Sequence, residues 1–401
     1  MLGLRLHSRG DYFTTQHNIM SFTLDISTLF SVLAVLQGII FAFILLRRAW
    51  VQERYSDYWL AGLLFLISCF LFRYVTAEID PTGAHYILNR LLSISYYVIG
   101  VVIYFYLKCQ LNARYRLTRK DLWHFLPVFI YIGLFFINTI QTYRLGSDWE
   151  RPLFYDIMSW FYIVYRSVGT LIYWLLSWRL YQKYRLWLPT ERSDTEGVEF
   201  KWFRNILIAL GIVIFSSIGL NLFDNFIFTT PVWIDTSQEL LVAFGIYYLS
   251  FMGYLQYQPQ QLVYDVPVND TEDKEETNLT SLLISKMPDA EIEEWKSKIL
   301  TLIEQNKLYL NPELTLTDIA QRLQTYSKLI SAVINEAFDK NFNDFVNEYR
   351  VNVFKTKVND PKLTHLTLLA IAFECGFNSK STFNRAVKKV TGEMPSAFIQ
   401  K

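Results

Sequence analysis

Residues 374–398 read ECGFNSKSTFNRAVKKVTGEMPSAF, and this run decides how the C-terminal part of the chain is read. A short helix near 368–375 carries Leu369, Ile371, Ala372 and Phe373 and should end at Gly376, where a left-handed residue stops a helix. Asn378 or Ser379 can cap the helix that follows. In that second helix Phe383, Ala386, Val387 and Val390 recur at helical spacing and form an inward stripe. Lys380, Ser381, Asn384, Arg385, Lys388 and Lys389 are left facing outward. Such side chains can bond base edges or phosphates in a major groove, which admits one helix. A charged helix face taken alone is more often solvated surface.

The pattern occurs twice, which favours the first reading. Ile319-Ala320 opens a helix, a turn and a second helix, SKLISAVINEAF, just as Ile371-Ala372 does further on. Between the two lies DFVNEYRVNVFKTKV, whose Phe345, Val346, Tyr349, Val351, Val353 and Phe354 are placed to bury against both halves.

This region resembles the DNA-binding domain of the AraC/XylS transcriptional regulators. The matching residues are Ile371-Ala372, Gly376-Phe377, Ser379, Phe383, Arg385, Lys388-Lys389, Gly392 and Pro395, with Ala320, Leu323, Asn335, Phe342 and Arg350 in the first half. The resemblance covers about the last quarter of the chain. It implies two helix-turn-helix units bridged by a linker helix and docked in successive major-groove segments of double-stranded promoter DNA. Base contacts are then expected from Lys328, Ser331 and Asn335 in the first unit and from Lys380, Ser381, Asn384 and Arg385 in the second. Phosphate contacts are expected from Arg350, Lys388 and Lys389. Three positions depart from the family pattern: Gln324 where the first turn often has Gly, Val387 where Phe is common, and Met394 where Thr often precedes Pro. Gln324 bears most on function, because a non-glycine there implies a different turn.

Before residue 258 the chain has another character. The protein has 401 residues, 52% hydrophobic and 17% aromatic, with only 19% charged, too apolar for an ordinary soluble protein of its size. The excess lies almost wholly ahead of Gln258, so two solvents are implied. Apolar runs fall at 24–46, 58–72, 91–107, 123–140, 157–178, 205–228 and 240–255, and we read them as seven spans. Residues 1–23 form a polar N-terminal segment in which Met20 is an alternative initiator. The first apolar run is too long for a cleaved signal peptide, and its positive charge follows instead of leading.

Loop charge predicts the orientation. Arg47, Arg48 and Arg54 follow the first run, Lys108, Arg114, Arg116, Arg119 and Lys120 the third, and Arg179, Lys183, Arg185, Arg192, Lys201 and Arg204 the fifth. By the positive-inside rule these loops are cytoplasmic, the N-terminus is outside, and the C-terminus shares a compartment with DNA. Residues 257–288, with Asp270, Glu272, Asp273, Glu275 and Glu276, read as an acidic solvated linker. A flexible linker transmits little torque, so signalling by a change of association is expected. Within 289–401, residues 290–307 read as an amphipathic helix packing on the first unit.

Ionisable groups inside a bilayer are costly unless paired. Arg166, with Asn221, Asp224 and Asn225, is therefore the expected intramembrane polar core, either structural or lining a ligand cavity. Cys69, Cys109 and Cys375 suggest neither a disulfide framework nor a zinc cluster, and the histidines lack metal-ligand spacing. No cofactor is implied, and nothing marks an enzyme.

The expected fold class is all-α: a seven-helix transmembrane bundle over 24–256, followed by a cytoplasmic AraC-type domain of two helix-turn-helix units joined by a linker helix. The expected protein is a multi-pass regulator of the bacterial inner membrane. Its expected partners are promoter DNA, the lipid bilayer, a small-molecule or membrane signal, RNA polymerase and a second copy of the chain. The alternatives are a seven-span sensor whose tail binds a protein partner, and a transporter with a regulatory tail.

Overall fold

A computed structural model describes residues 26–79, 86–145, 165–226, 232–256, 264, 287–363 and 365–398. The described residues form helices and turns, with no strand beyond an isolated bridge between Arg192 and Thr315. The N-terminal part contains α1 (Ile26–Gln52), α2 (Tyr55–Ile79), α3 (Tyr86–Leu92), α4 (Ser95–Leu111), α5 (Leu126–Leu145, entered by a 3-10 turn at Lys120–Phe125), α6 (Thr170–Glu191), α7 (Lys201–Phe226) and α8 (Val232–Leu255). The C-terminal part contains α9 (Asp289–Gln305), α10 (Leu316–Arg322), α11 (Ser327–Phe338), α12 (Phe342–Lys357), α13 (Leu368–Glu374) and α14 (Lys380–Thr391).

Within the described residues each apolar run falls on helix. The third is broken at Ser93-Ile94 into α3 and α4, and the second extends through its aromatic flanks into the whole of α2. Fewer than seven of the runs meet the length and apolarity of a span within the described residues. Among the described residues, three helices are long and apolar enough to cross a membrane, Ile26–Gln52, Tyr55–Thr76 and Lys120–Ile137, while Tyr97–Leu111 is apolar but shorter. The third run is interrupted where α3 gives way to α4, and the start of the fifth lies outside the described residues.

α1, α2 and α8 pack together, α4 lies on α2, and α6 lies on α4. Their shared core includes Leu45, Leu64, Tyr106, Tyr181, Tyr184, Phe203 and Ile246. At the end where the basic loops gather, Arg48 makes a two-pronged bond to Asp57 (2.6 and 2.9 Å) and donates to the Gly253 carbonyl at 2.9 Å, tying three helices together. The outward-facing residues on these helices include Leu33, Ile40, Phe43, Phe65, Phe129 and Phe244. A helix that is apolar on its exposed face as well as its packed face is stable where that face meets lipid.

The C-terminal domain has two cores. The first joins α9, α10 and α11 through Ile299, Ile303, Ile319, Ala320, Ile330, Val333 and Ile334, as the amphipathic pattern of 290–307 predicts. The second gathers Ile371, Ala372, Cys375, Phe377, Phe383, Ala386 and Val387. α12 serves both, giving Phe345 and Val346 to one and Val351 and Phe354 to the other. At 1.5 Å per residue this helix is a rod of about 24 Å on which both units ride.

The two parts also touch directly, apart from the linker. α6 runs past the apolar bundle to Glu191, and its end packs on α12 and α10. Most of the linker, 257–263 and 265–286, lies outside the described residues, as does the N-terminal segment. Tyr264 is described. It is only 6% exposed, donates its backbone N–H to Leu111 O at 3.1 Å and packs its ring 5.0 Å from that of Trp187.

Candidate nucleic-acid interface

The two helix-turn-helix units are built from the same local devices. Thr315 opens α10 with a full capping box, its hydroxyl accepting from the Asp318 backbone N–H while the Asp318 carboxylate accepts from the Thr315 N–H. Thr367 caps α13 by accepting from Ala370 N, and Ser379 caps α14 by accepting from Thr382 N at 3.1 Å. In the second turn Gly376 has φ +92°, and a Cβ there would sit 2.3 Å from Tyr309 O and 2.8 Å from Leu310 Cα. Only glycine fits, for conformation and for space. In the first turn Gln324 takes φ 53°. The glycine is replaced but the left-handed turn is kept, so the expectation of a different turn at Gln324 is corrected, and the cost is left-handed strain of about 1 kcal/mol.

The outward face of α14 carries Lys380, Ser381, Arg385, Lys388 and Lys389, all exposed, with Asn384 half-buried. On α11, Lys328 and Asn335 are exposed and Ser331 is half-buried. These residues sit where helical spacing put them, with Phe383, Ala386 and Val387 buried on the opposite face of α14. Lys389 Nζ is drawn toward the linker helix by Asp344 at 2.6 Å.

Arg350 is a correction. It is 0% exposed and has no reach to a phosphate. Its Nε donates to Tyr309 O at 2.8 Å, Nη2 to Asn311 O at 2.8 Å and to Ser193 Oγ at 3.0 Å, and Nη1 to Asn347 Oδ1 at 3.1 Å. Burial pulls the guanidinium down to about 10, against the raising influence of Asp194. The residue is a buried strut between the linker helix and the segment ahead of α10. Its position on α12 next to Val351 faces inward, and a charged residue type gives no sign of that in sequence.

The loop between α6 and α7 lies on this domain, which sequence reasoning missed. Ser193 N donates to Leu314 O at 3.0 Å, and Ser193 O accepts from Asn343 Nδ2 at 2.8 Å and from Arg350 Nη1 at 3.3 Å. Glu191 Oε1 accepts from Thr317 Oγ1 at 2.6 Å at the start of α10. Glu196 accepts from the hydroxyls of Ser379, Ser381 and Thr382. Glu199 stands 3.7 Å from Arg385 Nη1. Burial pushes the carboxyls of Glu196 and Glu199 up, but the hydroxyl bonds, Lys201 and, for Glu199, Arg385 outweigh it and hold both below the ordinary glutamate range. The signal was present in sequence as Asp194, Glu196 and Glu199 within a loop read only for its basic residues.

The proposed intramembrane polar core is not brought into view. Arg166 falls in a π-helical turn at Tyr165–Gly169 and Asn221, Asp224 and Asn225 in α7, but their side chains lie outside the described residues. A cavity of about 500 Å³ lies among α2, α4, α6, α7 and α8, walled by residues such as Ile67, Phe70, Trp174 and Tyr248, with Gln238 and Glu239 among its polar lining. Among the described residues no group of His, Cys, Asp and Glu is disposed to hold a metal ion.

A family model described as a helix-turn-helix domain matches residues 319–401. The match runs from within α10 through α11, the linker helix and the second unit, and it supports reading this part of the chain as a helix-turn-helix domain similar to those of the AraC type. No curated protein and no solved structure matches the chain.

Proposed function

We propose that this protein is a membrane-anchored, sequence-specific transcriptional regulator whose helical bundle senses a signal and controls promoter binding by the C-terminal domain. The observation that carries the reading is the direct seating of a helix-turn-helix domain on the basic end of an apolar bundle, through α6 and the loop after it. Arg48, Arg54, Lys108, Arg116 and Lys201 lie toward that end. This supports a cytoplasmic head, an outside N-terminus and seven passes, because cytoplasmic loops hold the excess of Lys and Arg. The cavity is the candidate signal site: it suits a mainly apolar molecule with a hydrogen-bonding group for Gln238 or Glu239. α12 would set the two recognition helices on successive major-groove segments of one DNA face.

Two measurements test this reading. Crosslinking of the intact protein to chromosomal DNA in cells should enrich discrete promoter regions, and alkaline extraction should leave the chain with membranes. Duplex binding should fall steeply with salt, since each phosphate contact displaces counterions. A chain that stays in the membrane but enriches no DNA is instead a sensor whose tail binds a protein.

A further inference from the structure

We infer that the α6–α7 loop is an intramolecular DNA mimic that holds the second helix-turn-helix unit closed, and that DNA must displace it. The inference rests on the DNA-binding reading above and specifies how that site is regulated.

The loop is fastened at one end and acidic at the other. Its fastening is Ser193, whose backbone N–H, carbonyl and hydroxyl are all bonded to the head, the last two by the buried Arg350 and by Asn343. From that anchor the chain brings three carboxylates across the face of α14. Asp194 Oδ1 accepts from Thr382 Oγ1 at 3.1 Å, Glu196 takes the hydroxyls of Ser379 and Ser381, and Glu199 faces Arg385 while Thr195 Oγ1 lies 3.4 Å from Arg385 Nη2. The Glu196 carboxylate sits over the first turn of α14, where free N–H groups and the helix dipole attract anions. In a docked helix-turn-helix the N-terminal residues of the recognition helix meet the groove. The same hydroxyls and the same guanidinium cannot serve carboxylate and DNA together, and three negative charges at that surface repel phosphate. Binding through α14 is therefore reduced by the fraction of heads whose loop is lifted.

The loop joins the two helices that wall one side of the cavity, Trp174 on α6 and Leu207 on α7 being joined by an indole-to-carbonyl bond of 2.7 Å. A change in their separation is thus transmitted to the carboxylates by chain connectivity.

The test uses the full chain in detergent or nanodiscs, titrated with a labelled duplex of random sequence at fixed salt. Glu196→Ala with Glu199→Ala should bind at least tenfold more tightly than the parent, and adding Arg385→Ala should abolish most of that gain. Conversely, Glu196→Cys with Ser381→Cys should lose binding when oxidised and regain it on reduction. Equal affinity of the parent and the double alanine variant, with binding present in both, overturns the mimic and leaves the DNA-binding reading standing. Absence of binding in every form, including the reduced cysteine pair, overturns both.

Discussion

At the residue scale the head is held by a few positions whose chemistry is unforgiving. Gly376→Ala forces a Cβ onto the Tyr309 carbonyl at a positive φ, and a loss of about 3 kcal/mol in the unfolding free energy of the head, read from the shift of its denaturant midpoint, is expected, at the upper end of overpacking costs. Gln324→Gly works the other way. It removes left-handed strain at φ 53°, offset in part by glycine's larger unfolded-state entropy, and should stabilise the first unit by about 0.5 kcal/mol in the same experiment. Arg350→Ala should cost about 3 kcal/mol, because it strands the carbonyls of Tyr309 and Asn311 and the Ser193 hydroxyl without their donor. In binding assays on folded material it should leave the salt dependence unchanged, as a phosphate contact would not.

At the element scale the recognition helix α14 divides its duties along its length. Ser381 stands on the first turn after the cap and Arg385 on the second, with Lys388 and Lys389 on the last turn. Arg385→Ala should relax preference at one base step at a cost of about 1–3 kcal/mol, whereas Lys388→Ala should weaken all sequences alike and flatten the salt slope by about one. Binding to a panel of single-base variants of a selected site reads both effects. Much of this element was legible beforehand: the caps, the glycine turn and the inward stripe are local rules, and α14 obeys them. On α12 the helix itself and its two-sided burial were legible, and the misread residue was Arg350, which sits on the buried side of a helix that carries exposed charges on the other.

At the scale of the whole molecule, the proposed mechanism makes the cavity and the loop parts of one path from bundle to head. Gly245 lines the cavity and a Cβ there meets nothing within 4 Å. Gly245→Leu should therefore fill the space with little loss of bundle stability, and should blunt the transcriptional response to the inducing signal while leaving basal promoter occupancy intact. Reporter output against signal dose, with thermal stability measured alongside, checks it.

The chain order by itself determined an apolar first part and a polar second, the helical build of the described residues, the paired units with their caps and turns, and the outward basic face of α14, because periodicity and capping act within a few residues of each other. What reads as a span is also local, yet length after folding is not: the break at Ser93-Ile94 changed one run into two helices. Only the tertiary structure decided that Arg350 is a strut, that the linker returns through Tyr264 to the bundle, and that Asp194, Glu196 and Glu199 rest on residues almost two hundred positions away. Contacts of that separation depend on how α6 projects beyond the bundle and how α12 receives it, and no rule confined to neighbouring residues encodes the meeting of two such surfaces.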